Sequence, residues 1–166
     1  MDIHFREIME KDLELVRDIF NYYIIHTTKN YRTVPLSIAG LKKIIHPGHP
    51  RYKSFLITES SDPCGFVYLS QFRKREAYDR TAEITVYLRP EFAGKGIGKY
   101  TLEYMEDIAR DAGIKVLMGI ISGENMQSIA LFKKMGYWQC AHYRQVAEKF
   151  GRIMDVVVYQ KIIDES

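Results

Sequence analysis

Glycines alternate with other residues in Gly94-Lys95-Gly96-Ile97-Gly98, and a second lysine, Lys99, follows directly. Glycine tolerates positive φ and carries no Cβ, so successive backbone N–H groups can converge on one oxygen-rich ligand. A helix beginning here would add N–H groups with no intrahelical partner and a positive dipole end. The chemistry implied is the binding of a phosphate or diphosphate. Upstream stands Glu83, a carboxylate able to serve as a general base, preceded by the basic-rich segment RKREAYDR (73–80), whose cations could grip a substrate anion.

These groups are positioned by a strand and a helix. Ala82, Ile84, Val86 and Leu88 alternate with Thr81, Glu83, Thr85 and Tyr87, which predicts a strand that Arg89-Pro90 ends. After the glycines, Thr101, Leu102, Met105, Ile108, Ala109 and Ala112 form the apolar stripe of a helix. A Walker A loop would need glycine at Ala93 and Ser or Thr at Tyr100, and the dinucleotide fingerprint would need glycine at Lys99. Neither nucleotide signature fits.

The length of 166 residues predicts one domain, 1–166, and 46% hydrophobic content fits a globular chain. No stretch approaches the roughly 20 apolar residues of a membrane helix, and the opening MDIHFREIMEKD lacks a signal-peptide pattern. A cytoplasmic protein with no membrane partner is expected. Basic and acidic residues are interspersed to a net charge of +3, which gives no polybasic footprint for nucleic acid. Cys64 and Cys140 are too few for a disulfide framework or zinc cluster, and His46 and His49 in HPGHP have no nearby ligand partners, so no metal is expected.

In chain order, the periodicities predict a strand around Ile3–Glu7, a helix from Asp12 to about Ile25 and a short helix from Ile38 to Ile45. A hairpin over 53–72 follows, then the central strand and helix, a strand over 115–121 and a helix over 126–135. Asn125 would cap that last helix. Strands over 137–147 and 153–163 close the chain around a turn at 149–152. Helices between strands cover a sheet that the hairpins make mixed.

The segment from Ala93 to Gly98 resembles the pyrophosphate loop of the GNAT N-acetyltransferase superfamily, with Ala93 where that motif has Arg or Gln. Within the superfamily the chain is most similar to the phosphinothricin and methionine sulfoximine/sulfone N-acetyltransferases. The similarity is carried by FNYYIIHTT (20–28), Arg73 to Glu83, VYLRPEFAGKGIG (86–98), GENMQSIALFKKMGY (123–137) and EKFGRIMD (148–155). It implies an α+β fold, an α/β/α three-layer sandwich with a mixed, mostly antiparallel central sheet.

The resemblance also implies roles. Val86, Tyr87 and Leu88 would hold the pantetheine arm of acetyl-CoA, the acetyl donor, while Gly94, Lys95, Gly96, Ile97, Gly98 and Lys99 would hold its pyrophosphate. Asn125 would bond near the thioester. Glu83 would be the general base and, with Arg73, Lys74, Arg75 and Tyr78, would contact a small-molecule amine. A homodimer is expected. The family usually has His-Ser after the base, Tyr-Arg in the basic loop and an acidic residue near position 32, where this chain has Ile84-Thr85, Tyr78-Asp79 and Arg32. A tyrosine that many GNAT enzymes use as general acid is Phe132 here, which leaves that role unassigned. Another amine acceptor, or a non-catalytic acyl-CoA-binding domain, remains as an alternative.

Overall fold

The computed structural model describes all residues, Met1–Ser166. The elements run β1 (Ile3–Glu7), α1 (Leu13–His26), α2 (Ile38–Leu41), β2 (Ser54–Glu59), β3 (Asp62–Gln71), β4 (Thr81–Leu88), α3 (Ile97–Asp111), β5 (Val116–Ser122), α4 (Met126–Lys134), β6 (Trp138–Lys149) and β7 (Arg152–Ile162). The seven strands form one sheet in the order β1-β2-β3-β4-β5-β7-β6. Only β4 and β5 run parallel; every other pairing is antiparallel. The expected element order and mixed α+β sandwich are therefore present.

Two hairpins are closed by two-residue turns. Ser60-Ser61 joins β2 to β3 with φ of 48° and 70°, and Phe150-Gly151 joins β6 to β7 with φ of 54° and 72°. Two positive φ values in succession suit the right-handed twist of the flanking strands. β6 runs on to Lys149 rather than ending at Ala147, but the largest boundary difference from the expectation is in α2, which stops at Leu41 rather than Ile45. Ser37 Oγ caps it by accepting from Gly40 N–H at 3.0 Å, but Gly40 is a poor helix former and Pro47 excludes the helical region just beyond. The chain instead tightens into single turns, with Ile44 N–H donating to the Leu41 carbonyl at 2.9 Å.

Helices cover the sheet unequally. The side facing α3 and α4 holds a core of 21 buried residues, whereas the side facing α1 and α2 holds 12, to which the sheet contributes only Leu56, Phe66 and Tyr68 of β2 and β3. On this second side β5, β6 and β7 lack a covering helix, so Ile120, Trp138 and Tyr143 stay exposed. Glu83 belongs to the same side, at the edge of the covered half. No helix is long and apolar enough to cross a membrane.

Candidate active site

Pairing between β4 and β5 covers Thr81 with Val116, Ala82 with Leu117 and Glu83 with Met118, and then stops. β4 stays bound to β3 as far as Leu88, and β5 stays bound to β7 as far as Ser122. The two middle strands therefore part like a V whose apex is at Glu83.

The ladder decides which backbone groups face the opening. Arg89 N–H donates to the Cys64 carbonyl at 2.8 Å. Alternation then turns the peptide groups of Glu83, Thr85 and Tyr87 toward β3, and those of Val86 and Leu88 toward the opening. The Leu88 carbonyl accepts from the Tyr23 hydroxyl. Val86 N–H and C=O and Leu88 N–H remain directed into the V, while Tyr87 contributes its ring.

The opening continues into a groove of about 360 Å³ that runs to the glycine turn and α4. Gly94 and Gly96 have φ of +75° and +85°, values that strain any residue with a Cβ. Gly96 is the N-cap of α3 and offers no side chain to it, and the first turn carries no acidic residue. The leading N–H groups of α3 thus have no side-chain acceptor at their positive end.

Tight packing shapes the walls. A Cβ on Gly98 would meet Leu131 Cδ2 at 2.6 Å, and one on Gly119 would meet the Phe132 ring at 2.5 Å, so these positions let α3, α4 and β5 close together. Lys29, Lys99 and Lys134 line the groove and no carboxylate does. Cationic ends, an apolar floor and strand-edge peptide groups suit an anionic cofactor with a peptide-like arm.

Individual residues fall into place as follows. Gly94, Gly96, Ile97, Gly98 and Lys99 line the groove, whereas Lys95 turns its ammonium over the Phe92 ring at 5.3 Å. Asn125 also lines it and caps α4: Oδ1 accepts from Ser128 N–H at 3.2 Å and Nδ2 donates to Ser128 Oγ at 3.1 Å. One Nδ2 hydrogen is left for a ligand. Phe132 is buried against Gly119 and can donate no proton.

Glu83 is half-buried and its carboxylate makes no ion pair or hydrogen bond within the chain. Burial pushes it above the ordinary glutamate range, and the charge of nearby Arg73 pulls the other way. Arg73 lies with its guanidinium 4.9 Å from the Phe72 ring centre, and Tyr78 packs edge-on against the same ring at 5.9 Å. Arg73, Lys74, Arg75 and Tyr78 are all exposed, and among them Arg73 is the one whose charge acts on Glu83.

Several lining groups were not singled out from sequence. Tyr23 reads there as helix core; its hydroxyl is buried enough for its pKa to be pushed up to about 12. Lys29 and Asn30 sit in an aperiodic loop after α1 and carry no sequence signal beyond their closeness to FNYYIIHTT, whereas Arg32 in the same loop stands where the resemblance implies an acidic residue; of the three only Lys29 lines the groove. Asn30 Nδ2 donates to the Tyr87 hydroxyl at 2.9 Å, and the Arg32 charge reaches Tyr68 and Tyr87.

A seven-stranded mixed sheet split between β4 and β5, with a glycine turn aimed at the split, defines an acyltransferase of the GNAT type. Residues 17–137 match the acetyltransferase (GNAT) family, and the chain belongs to it. It is an N-acetyltransferase with acetyl-CoA as its acetyl donor. The chain is 28% identical to a phosphinothricin N-acetyltransferase of Streptomyces coelicolor, with 96% of each covered. It is 30% identical to an L-methionine sulfoximine/L-methionine sulfone acetyltransferase of Salmonella typhimurium, covering 99% of this chain and 96% of that one. The structure of a GNAT superfamily phosphinothricin acetyltransferase from Sinorhizobium meliloti in complex with AcCoA superposes with a TM-score of 0.91 at 27% identity, covering 99% of this chain and 90% of that one.

Proposed function

We propose that this enzyme acetylates the primary amine of a small amino acid or analogue of the phosphinothricin or methionine sulfoximine/sulfone type, with Glu83 as general base. The observation that carries this reading is an unpaired, half-buried carboxylate at the apex of the β4–β5 split. A structural salt bridge would have given Glu83 a cation within bonding distance, and it has none. The similarity to proteins named for those substrates supports the acceptor class.

Acetyl-CoA supplies an acyl carbonyl activated as a thioester. The residues facing the groove supply the rest. Val86 and Leu88 would orient the peptide-like arm through their backbone groups, and the turn at Gly94–Lys99 with the α3 N-terminus would hold the diphosphate. Glu83 accepts a proton from the incoming ammonium, which must become neutral before its lone pair can attack. Val86 N–H, directed into the split, would stabilise the negative charge that grows on the carbonyl oxygen. As the C–N bond formed, the thioester C–S bond would break, and the departing thiolate would take up the amine's second proton. Arg73, close to Glu83, is placed to meet the acceptor's carboxylate, an arrangement that disfavours a polycationic amine.

Glu83→Gln removes the base and keeps the shape. Turnover of methionine sulfone or phosphinothricin with acetyl-CoA should fall about 10²- to 10⁴-fold, with little change in the KM for acetyl-CoA. Undiminished turnover would remove Glu83 from its role. The exposed Ile120, Trp138 and Tyr143 on the uncovered side of β5 and β6 support a homodimer burying that surface. Sedimentation as a monomer at micromolar concentration would dispose of it.

A further inference from the structure

The loop from Thr27 to Arg32 is strapped to the far half of the molecule by polar contacts that acetyl transfer does not itself require. Thr28 Oγ1 donates to Glu124 at 2.9 Å, and the Tyr31 hydroxyl bridges the Asp155 carbonyl at 2.6 Å and Ser122 Oγ at 2.9 Å. Asn30, only 8% exposed, is at the centre. Its Nδ2 donates to the Tyr87 hydroxyl at 2.9 Å, its Oδ1 accepts from Arg32 N–H at 2.7 Å, and its carbonyl accepts from Lys149 Nζ at 2.6 Å.

Lys149 is the unusual member. It ends β6 just before the Phe150-Gly151 turn, is 3% exposed, and has no carboxylate within ion-pair distance. Its ammonium meets one carbonyl and lies 5.1 Å from the Phe150 ring centre. Burying a cation against a single neutral acceptor is a costly way to fill space, and a methionine would fill it more cheaply. The effect of the contact therefore lies in what it holds.

We propose that Lys149 is a positioning residue for the acceptor side of the site: by gripping the Asn30 carbonyl it keeps the Asn30 amide on Tyr87 and the Arg32 backbone beside it, so that the loop presents one fixed wall to the incoming amine. Tyr87, Thr85 and Glu83 share one face of β4, which makes Tyr87 the link between that wall and the base. The inference rests on reading the Glu83 face as the acceptor side. It connects the β6–β7 hairpin, remote in sequence, to amine binding; Lys149 itself does not line the acetyl-CoA groove, which the tethered loop reaches only through Lys29 and through its partner Tyr87.

Two measurements on the full chain test it. Lys149→Met keeps length and loses the donor, whereas Lys149→Arg keeps a donor and the charge. In Lys149→Met, amides of residues 27–33 should exchange with deuterium about 10-fold faster, with the first turn of α3 unchanged. The KM for methionine sulfone should rise about 10-fold, as expected for one lost hydrogen bond that positions substrate, while the KM for acetyl-CoA, whose groove the loop reaches only through Lys29 and Tyr87, should rise clearly less. Lys149→Arg should recover most of both. Unchanged exchange in a folded Lys149→Met protein, or an equal rise in both KM values, would overturn the proposal. Should Lys149→Met fail to fold, Asn30→Ala breaks the same link to Tyr87, and an unaltered acceptor KM there would overturn it as well. Exchange is read without turnover, so a wild type that acetylates no amino acid would overturn the acceptor reading while the loop amides alone decide the role of Lys149.

Discussion

The two sides of β4 are built in opposite ways. The proposed cofactor side comes from one run of chain, Val86 to Lys99, backed by β5 and α4, and its shape is set by glycines that take positive φ or let the Leu131 and Phe132 side chains pack onto bare backbone. The proposed acceptor side is gathered from the loop after α1, the segment after β3 and the β6–β7 turn, where a side-chain hydrogen bond from Lys149 to the Asn30 carbonyl spans more than a hundred residues of sequence. Backbone geometry tolerates little variation but serves any chain that binds the same cofactor. Side-chain ties can be exchanged one at a time, so specificity is the property free to change.

That contrast can be broken most sharply at Gly96. Its φ of +85° and its place at the head of α3 mean that Gly96→Val strains the turn and sets a side chain where the diphosphate approaches. Acetyl-CoA affinity should drop about 100-fold by calorimetry, with strain of about 1–3 kcal/mol in the same position. Binding unchanged within 2- to 3-fold would mean that the turn only redirects the chain.

On the acceptor side, Arg73→Gln should raise the KM for the amino acid about 10-fold and leave acetyl-CoA binding alone, if the guanidinium meets the acceptor's carboxylate. The same variant sharpens the assignment of the base. Burial raises the pKa of Glu83 and Arg73 lowers it. The base works deprotonated, so kcat should fall as pH drops through that raised value, and losing Arg73 should move this acid limb to higher pH. A limb that stays in place would show that Glu83 does not control it.

The smallest effect is expected far from both sides. Asp12 accepts from Arg6 Nη1 and Nη2 at 2.9 Å each and from Met9 N–H at 2.8 Å, which holds its carboxyl below the usual range. A depressed folded pKa gives stability that is present above the unfolded pKa and lost as pH falls through the folded one. Asp12→Asn should cost about 1–2 kcal/mol in urea unfolding at neutral pH, with the difference closing at low pH and kinetics unchanged. Equal loss at every pH would point to packing rather than charge.

The same contrast explains what could be read in advance. Strand, glycine turn and helix from Thr81 to Ala112 are contiguous, so their periodicity and φ demands are visible in the letters alone. The groove's other wall was partly visible through Asn125, whose type and place mark a helix cap. Tyr23 was not, because a tyrosine on a helical stripe looks like core until its hydroxyl is seen on the Leu88 carbonyl. Lys149 and Asn30 carry no local pattern at all; their meaning comes from a contact spanning most of the chain. The early stop of α2 at Leu41 is a case where one glycine and a nearby Pro-Gly outweighed an apolar run.

The proposed mechanism joins the two sides by direct transfer across the β4–β5 split, with no acetyl group resting on the enzyme. Cys64 is fully buried with its thiol pushed up to about 11, and the exposed Cys140 does not line the groove, so neither thiol is placed as a nucleophile there. Initial rates measured with acetyl-CoA and the amino acid varied together should give intersecting double-reciprocal lines, the mark of a complex holding both substrates. Parallel lines, with acetyl label retained on the isolated protein, would contradict it.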